Sequence, residues 1–322
     1  MKIGKFELKN KVIIAPLAGY TNYSYRKIMR EFGASLCYTE MISAKGINFK
    51  NKRTLEMTKV KEDDHLVNMQ LFGGTKEDLV KAAIYIDKYS DCDIIDLNMG
   101  CPVKKVLKAK SGSYLLKDPD NIYEIVKAVV ESVSKPVTVK IRLGQTKNTI
   151  NVLEVAKKIE KAGASAICIH GRTQSDLYKG KANYDYIRIV KEQVKIPVIA
   201  NGDIKSIEDA KYVLDYTKCD AIMIGRSSIG NPWLIQNIVN HFEGKELLEP
   251  TAIEKIQMVK KHYALLKDEM GEKLAILNLR SLFSRYLKGL DVKEYKLRLM
   301  KITKEQEMND LFKEMEVKYE NS

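Results

Sequence analysis

Eight short apolar runs, rich in valine and isoleucine, alternate with amphipathic stretches over about 240 residues of the chain. Runs of this kind are typical of parallel strands that are covered on both faces by helices. Most of the stretches between them place their apolar residues at helical spacing. The predicted strands cover residues 12–17, 35–39, 67–72, 93–98, 137–142, 166–170, 197–201 and 220–224, and the clearest helices cover residues 77–89, 122–132, 152–161, 184–192 and 207–214.

This alternation predicts an α/β fold, a (β/α)8 TIM barrel, with a doubly wound open sheet as the alternative. Weak similarity between residues 164–171 and 219–225, polar strand ends and the lack of a GxGxxG motif after the first strand favour the barrel. After Gly244 only helical spacing remains, at residues 253–270, 273–286 and 303–319. We therefore predict a barrel domain over residues 1–244 and a small all-α helical domain over residues 245–322.

Composition narrows the class of protein. The chain has no signal-peptide core, and no run approaches the roughly 18 apolar residues of a membrane span. Its five cysteines form no CxxC pair, and no His/Cys/Asp cluster has metal-ligand spacing. We therefore expect a cytoplasmic monomer with neither a metal nor a membrane partner.

The formal net charge of +13 predicts a polyanionic partner such as a nucleic acid. Residues 245–322 hold 16 basic and 14 acidic side chains, so 39 basic and 28 acidic side chains lie in residues 1–244. The excess positive charge therefore belongs to the barrel domain. The alternative is that these lysines only solvate the surface.

Candidate chemistry lies at the C-terminal strand ends, because in this fold they meet at one mouth. The candidates, in chain order, are Pro16, Leu17, Ala18, Gln70, Asn98, Cys101, Lys140, Arg142, His170, Arg172, Asn201, Gly202, Asp203, Gly225 and Arg226. Gly202, Gly225 and Arg226 follow the last two strands, where backbone N–H groups commonly bind phosphate in this fold. The alternative for each glycine is a simple turn.

Three polar residues interrupt or end apolar strands. Lys140 needs a partner to offset its desolvation, either a bound anion or electron-rich ring, or a barrel carboxylate such as Asp96. Gln70 suits the polar edge of a heterocycle. His170 ends its strand just before Gly171, which favours a site role over a core histidine.

Cys101 follows a buried strand and a glycine turn, and four lysines follow it. A thiol at a strand end in positive surroundings is a candidate acid or nucleophile. The alternative is a cysteine that serves only as a small hydrophobic residue.

The chain resembles the tRNA-dihydrouridine synthases, most closely the bacterial synthase B branch, from about residue 10 to about residue 290. The segments that carry the resemblance are Ala15-Pro16-Leu17-Ala18-Gly19-Tyr20-Thr21, Asn68-Met69-Gln70-Leu71-Phe72-Gly73, Asp96-Leu97-Asn98-Met99-Gly100-Cys101-Pro102, Val139-Lys140-Ile141-Arg142-Leu143-Gly144, His170-Gly171-Arg172-Thr173, Ile199-Ala200-Asn201-Gly202-Asp203, Ile224-Gly225-Arg226 and Tyr286-Leu287-Lys288-Gly289.

The resemblance implies an FMN-dependent enzyme that uses NADPH to reduce the C5–C6 bond of specific uridines in tRNA. It also implies a helical domain that binds tRNA, and it assigns roles to the candidates. Pro16, Leu17 and Ala18 would lie along the flavin ring, Gln70 and Lys140 at its polar edge, and His170 near the ring or phosphate. Asn201, Gly202, Asp203, Gly225 and Arg226 would hold the ribityl chain and phosphate, and Asn98, Arg142 and Arg172 would hold the uracil or its phosphates.

The resemblance further implies that Cys101 is the proton donor. Hydride transfer to C6 leaves negative charge that needs a proton at C5, and a thiol with a pKa near ~8.5 is largely protonated at neutral pH. The lysines after Cys101 are then expected to face RNA phosphate. The alternatives are an FMN-dependent dihydroorotate or dihydropyrimidine dehydrogenase that acts on a free pyrimidine, and a non-catalytic RNA-binding module.

Overall fold

The computed structural model describes residues 1–320, and its larger part is a closed barrel of parallel strands. In chain order the strands are β1 (Lys2–Ile3), β2 (Phe6–Glu7), β3 (Val12–Ile14), β4 (Leu36–Tyr38), β5 (Ile42–Ser43), β6 (Val67–Phe72), β7 (Ile94–Met99), β8 (Val137–Arg142), β9 (Ala166–His170), β10 (Val198–Asn201) and β11 (Ala221–Ile224).

The barrel consists of β3, β4 and β6 to β11, each parallel to its neighbours. It closes where β4 pairs with β6, so that Tyr38 stands opposite Asn68, and β5 extends this edge by pairing with β6 further along. The predicted (β/α)8 barrel is confirmed, and the open-sheet alternative is wrong. Strand β3 ends at Ile14 rather than at residue 17, because Pro16 has no N–H to continue the ladder.

Helices cover the outside of the barrel. They are α1 (Tyr23–Glu31), α2 (Ala44–Asn48), α3 (Lys52–Glu56), α4 (Lys76–Tyr89), α5 (Lys104–Lys108), α6 (Pro119–Ser132), α7 (Val152–Lys161), α8 (Asp185–Gln193), α9 (Ile207–Thr217) and α10 (Pro232–Glu243). Each longer helix buries one apolar stripe against the strands, as α7 does with Val155 and Ile159. Within residues 1–320, no helix combines the length and apolar character needed to cross a membrane.

The interior of the barrel has its own core. Successive strand residues face opposite sides, so Ile14 packs under the helices while Ile13 points inward. The antiparallel hairpin of β1 and β2, which the sequence pattern did not predict, adds Ile3 to this inner core. Gly4 of the hairpin lies against Pro136, just before β8 begins. The hairpin therefore covers the N-terminal end of the barrel and leaves the C-terminal end as the site of the cavity.

Four further helices form the helical region, namely α11 (Ala252–Met270), α12 (Glu272–Tyr286), α13 (Lys293–Leu299) and α14 (Glu305–Glu320). Of these, α13 was not predicted. Their hydrophobic cluster also contains Ile229 and Trp233, which precede the predicted boundary at residue 244. The division at that residue stays a prediction, and residues 321–322 of the predicted helical domain lie outside the described part of the chain.

Candidate active site

One cavity of about 1550 Å³ lies at the C-terminal end of the barrel. All fifteen predicted site residues line it. The structure thus brings the fifteen residues to one cavity, as the strand-end argument predicted, while their roles as site residues stay a prediction. The cavity is also lined by residues that were not predicted, among them Tyr20, Met41, Tyr178, Arg285 and Lys288.

Cys101 lies in the loop that follows β7. Its N–H donates to Asn98 Oδ1 at 2.9 Å, and its carbonyl accepts from the Ser113 N–H at 3.1 Å. The thiol is partly exposed, whereas the other four cysteines are buried. Burial raises the pKa of Cys101, although Arg142 and Lys140 act in the opposite direction. The thiol is therefore a protonated group at neutral pH, which suits an acid better than a nucleophile.

A chain of hydrogen-bonded side chains leads from the barrel interior to this loop. Asp96 accepts from Thr138 Oγ1 at 2.6 Å and from Gln70 Nε2 at 2.7 Å. Gln70 Oε1 in turn accepts from Asn98 Nδ2 at 2.7 Å. Burial raises the pKa of Asp96 to about 7, against the lowering effects of these hydrogen bonds and of Lys140.

Lys140 crosses the cavity floor to Asn201. Its Nζ donates to Asn201 Oδ1 at 2.9 Å, and Asn201 Nδ2 donates to the Met223 carbonyl at 2.8 Å. The alternative that Lys140 forms a salt bridge with Asp96 is wrong, because the ammonium instead hydrogen-bonds to Asn201. Burial lowers the pKa of Lys140, so its charge is costly here unless an anion or electron-rich group binds nearby.

His170 ends β9 beside the lysine. Burial lowers the pKa of His170 strongly, and the cations Lys140, Arg142 and Arg172 lower it further, so the ring is neutral. Gly202 lies against this ring, since a Cβ at Gly202 would stand 3.0 Å from His170 Cδ2. A side chain at that position would fill the space beside the imidazole.

Arg142 and Arg172 hold the loop that follows β9. Arg142 Nη1 donates to the carbonyls of Thr173 and Leu177, at 2.8 and 2.7 Å. Arg172 donates to the carbonyls of Lys179 and Gly180, at 3.0 and 2.6 Å. These guanidinium groups are largely occupied by the protein itself, so their contact with a substrate stays a prediction.

Tyr178 stands on that loop above the cavity. The Arg226 guanidinium lies 4.6 Å from the centre of its ring and that of Arg142 lies 5.5 Å away. Strand ends alone could not identify Tyr178, because it belongs to the tip of a long loop. The only feature of the sequence that could have indicated Tyr178 is its aromatic side chain, eight positions after His170.

The end of the cavity near β10 and β11 suits an anion. Asp203 is not free there, because its carboxylate accepts from Arg172 Nη2 at 2.8 Å and from the Ala182 N–H at 2.8 Å. Arg226 forms no ion pair within residues 1–320, and Gly225 borders the cavity beside it. Two cations from the helical region, Arg285 and Lys288, line the same cavity. Among the described residues, no group of His, Cys, Asp or Glu could hold a metal ion.

The fold and this site define a (β/α)8-barrel enzyme with a cationic cavity, a neutral histidine and a protonated thiol. The family model described as "Dihydrouridine synthase (Dus)" matches residues 13–320, and the chain belongs to that family. It is therefore an oxidoreductase, and the predicted family is confirmed.

Curated relatives agree with the family model. The chain is 42% identical over 291 residues to "tRNA-dihydrouridine synthase B" of Pasteurella multocida (strain Pm70), covering 90% of this chain and 87% of that protein. It is 41% identical over 289 residues to the protein of the same name from Vibrio vulnificus (strain CMCP6), covering 89% of each. It is 38% identical over 291 residues to "Probable tRNA-dihydrouridine synthase" of Rickettsia conorii (strain ATCC VR-613 / Malish 7), covering 90% and 88%.

Proposed function

We propose that this protein is a tRNA-dihydrouridine synthase that uses FMN and NADPH to reduce the C5–C6 bond of specific uridines in tRNA. The observation that carries the proposal is the partly exposed thiol of Cys101 in a cationic barrel cavity of this family. Relatives that match about nine-tenths of the chain carry the name of this activity.

The residues of the cavity fit FMN. Gly202 leaves space beside His170 that a side chain would fill, and Arg226 is a cation without an ion pair within residues 1–320. In our proposal, Asn201, the backbone of Gly202 and Asp203, and Gly225 hold the ribityl chain and phosphate together with Arg226. Pro16, Leu17 and Ala18 would lie along the ring, and Gln70, Lys140 and His170 would contact its polar side. Bound FMN would supply the two-electron chemistry of the reduction, with NADPH as the source of the hydride that reaches C6 of the uracil.

Cys101 completes the reduction. Its Sγ–H gives a proton to C5, so that the hydride and this proton together saturate the double bond, and solvent later restores the thiol proton. The raised pKa of Cys101 keeps the proton available at neutral pH. Lys140 places positive charge beside the reacting centre, where it stabilises negative charge that develops during the transfer.

The uridine has to leave its stack to reach this cavity, so the proposal includes base flipping. Asn98, Arg142 and Arg172 line the cavity, and in our proposal they contact the inserted nucleotide. Arg285 and Lys288 of the helical region extend the same positive surface toward the RNA backbone. Affinity for tRNA should therefore fall steeply as salt is added.

The test compares Cys101→Ala with the wild-type protein. The variant should bind FMN and still bleach the flavin with NADPH, but form no dihydrouridine in transcribed tRNA. Cys219→Ala is the matched control, since Cys219 is buried just before β11 and does not line the cavity. Full product yield from Cys101→Ala contradicts the role of the thiol.

Two outcomes with the wild-type protein contradict the function as a whole. One is reduction of free uracil or oxidation of dihydroorotate with no activity on tRNA. The other is a colourless protein that does not bind added FMN.

A further inference from the structure

Asp96 is a fully buried carboxylate that does not line the cavity. It lies on β7, two residues before Asn98 and beneath the cavity floor. Its carboxylate is linked to the Cys101 loop by hydrogen bonds through two other side chains, first Gln70 and then Asn98. The distances of these contacts, 2.7, 2.7 and 2.9 Å, are those of good hydrogen bonds.

The direction of this chain of hydrogen bonds is fixed from the loop end. Backbone N–H groups can only donate, so the N–H groups of Gly100 and Cys101 require the oxygen of Asn98 to face them. The amide nitrogen of Asn98 then faces Gln70, which has to present its oxygen. The amide nitrogen of Gln70 is left facing residue 96, so residue 96 has to be an acceptor.

From this arrangement we infer that Asp96 is a positioning residue, whose carboxylate fixes the amides of Gln70 and Asn98 and thereby holds the Cys101 loop in place for proton transfer. The inference rests on the proposed function for the proton-transfer step. The hydrogen-bonding argument itself depends only on contacts within the chain.

A purely structural role would be served better by an apolar residue. A buried carboxylate is destabilising relative to a well-packed hydrophobic residue of similar volume. The raised pKa of Asp96 reflects the same cost of burying a charge, and Lys140 offsets this cost only in part. The Tyr38 hydroxyl and the Cys168 thiol also interact electrostatically with this carboxylate. A polar residue is explained at this position by the amide nitrogen of Gln70, which requires an acceptor oxygen.

The test measures how fast iodoacetamide alkylates Cys101 in the full-length protein, with and without added FMN, by mass spectrometry of the cysteine peptides. Asp96→Leu removes the acceptor, so the Cys101 loop should loosen and its alkylation should accelerate about fivefold to tenfold, the effect of losing one buried hydrogen bond. Asp96→Asn can still turn its oxygen to Gln70 and its amide to Thr138. It should restore a rate close to that of the wild type.

Thr138→Val is the matched control. It removes the other hydrogen bond of the same carboxylate but leaves Gln70 its partner. Alkylation of Cys101 in Thr138→Val should stay close to the wild-type rate. Equal acceleration in Thr138→Val and Asp96→Leu would overturn the inference, because a general loosening of the barrel would then explain both.

The four buried cysteines report on folding in the same experiment, since they react only if the barrel opens. If Asp96→Leu exposes them, Gln70→Met decides the question. It breaks the chain of amides while Asp96 stays in place, and it should accelerate alkylation of Cys101 alone. Wild-type rates for Cys101 in Gln70→Met overturn the inference.

An activity measurement separates this inference from the proposed function. In Asp96→Leu, flavin bleaching by NADPH should persist. Dihydrouridine formation should fall about tenfold, which matches the expected acceleration of Cys101 alkylation. If the wild-type protein forms no dihydrouridine, the proposed function fails. The alkylation rates still show whether Asp96 positions Cys101.

Discussion

Glu269 of α11 forms a connection between the helical region and the barrel that can be tested by substitution. One carboxylate oxygen accepts from the Tyr23 N–H at 3.0 Å, and the other accepts from the Ser24 N–H at 2.8 Å and from the Ser24 hydroxyl. Tyr23 and Ser24 are the first two residues of α1, whose N–H groups have no partner within the helix. Asn22 Oδ1 accepts from the Tyr25 N–H, so the Asn22 side chain and Glu269 together satisfy the first N–H groups of α1.

Glu269→Ala should therefore lower the free energy of unfolding by about 3 kcal/mol. The estimate combines two charge-assisted hydrogen bonds with the favourable position of a carboxylate at a helix N-terminus. Glu269→Gln should be as destabilising, because one end of its amide would present a donor to the N–H donors of α1. Lys261→Ala is the control, since its exposed pair with Glu31 also joins α11 to α1 but contributes at most about 0.5 kcal/mol.

The assay is urea unfolding followed by the fluorescence of Trp233. This is the only tryptophan of the chain, it is 8% exposed, and its ring contacts Phe32 edge to face at the end of α1. The signal therefore reports the interface that Glu269 stabilises. A midpoint for Glu269→Ala equal to that of Lys261→Ala, with an unchanged slope, would refute the argument.

Three further predictions concern charge, backbone and anion binding. Burial raises the pKa of Asp96 in the folded protein from an ordinary value of 3.8 to about 7, so its protonated form is favoured in the folded state. The resulting stability is present in full below pH 3.8 and is lost as the pH rises from there to about 7. Asp96→Asn should thus stabilise the protein at pH 8 by as much as about 4 kcal/mol, with a smaller gain at pH 5, and equal gains in urea melts at both values would contradict this. Gly230→Ala should destabilise the protein by more than about 2 kcal/mol, because φ is +69° and a Cβ would lie 2.5 Å from Arg285 Cβ. Gly244→Ala is the control: its φ is +68° but the space around it is open, so the free energy of unfolding should fall by only about 1 kcal/mol in the same urea melts. Arg226→Gln should weaken FMN binding about tenfold in a fluorescence titration, and unchanged affinity would remove Arg226 from the proposed phosphate site.

The sequence was most informative about the strand ends, because their geometry repeats around the barrel. Parallel strands in a barrel end on the same side, so a polar residue at the end of each apolar run could be assigned to one mouth without knowledge of the packing. That argument brought Gln70, Lys140 and His170 to the cavity together with the other twelve predicted residues. It needed only the length and spacing of the apolar runs.

Contacts between distant segments could not be predicted in this way. Glu269 lies 246 positions after Tyr23, and nothing in either local sequence indicates the pair. The partners of Arg142 and Arg172 are backbone carbonyls of a loop, which have no sequence signature. The protein partner of Lys140 is an amide and not the carboxylate considered as the alternative, because Thr138 and Gln70 already surround Asp96.

The hydrophobic cluster that joins α10 to the last four helices also has a consequence for recombination between relatives. Trp233 and Ile229 pack among residues of α11, α12 and α14, so a cut after Gly244 would divide one core between two fragments. Ile235 and Ile238 of the same helix pack in the barrel core, so α10 contributes to both cores. A chimaera that exchanges the helical region would therefore have to match Ile229 and Trp233 on the barrel side, together with the α1 surface beneath Glu269.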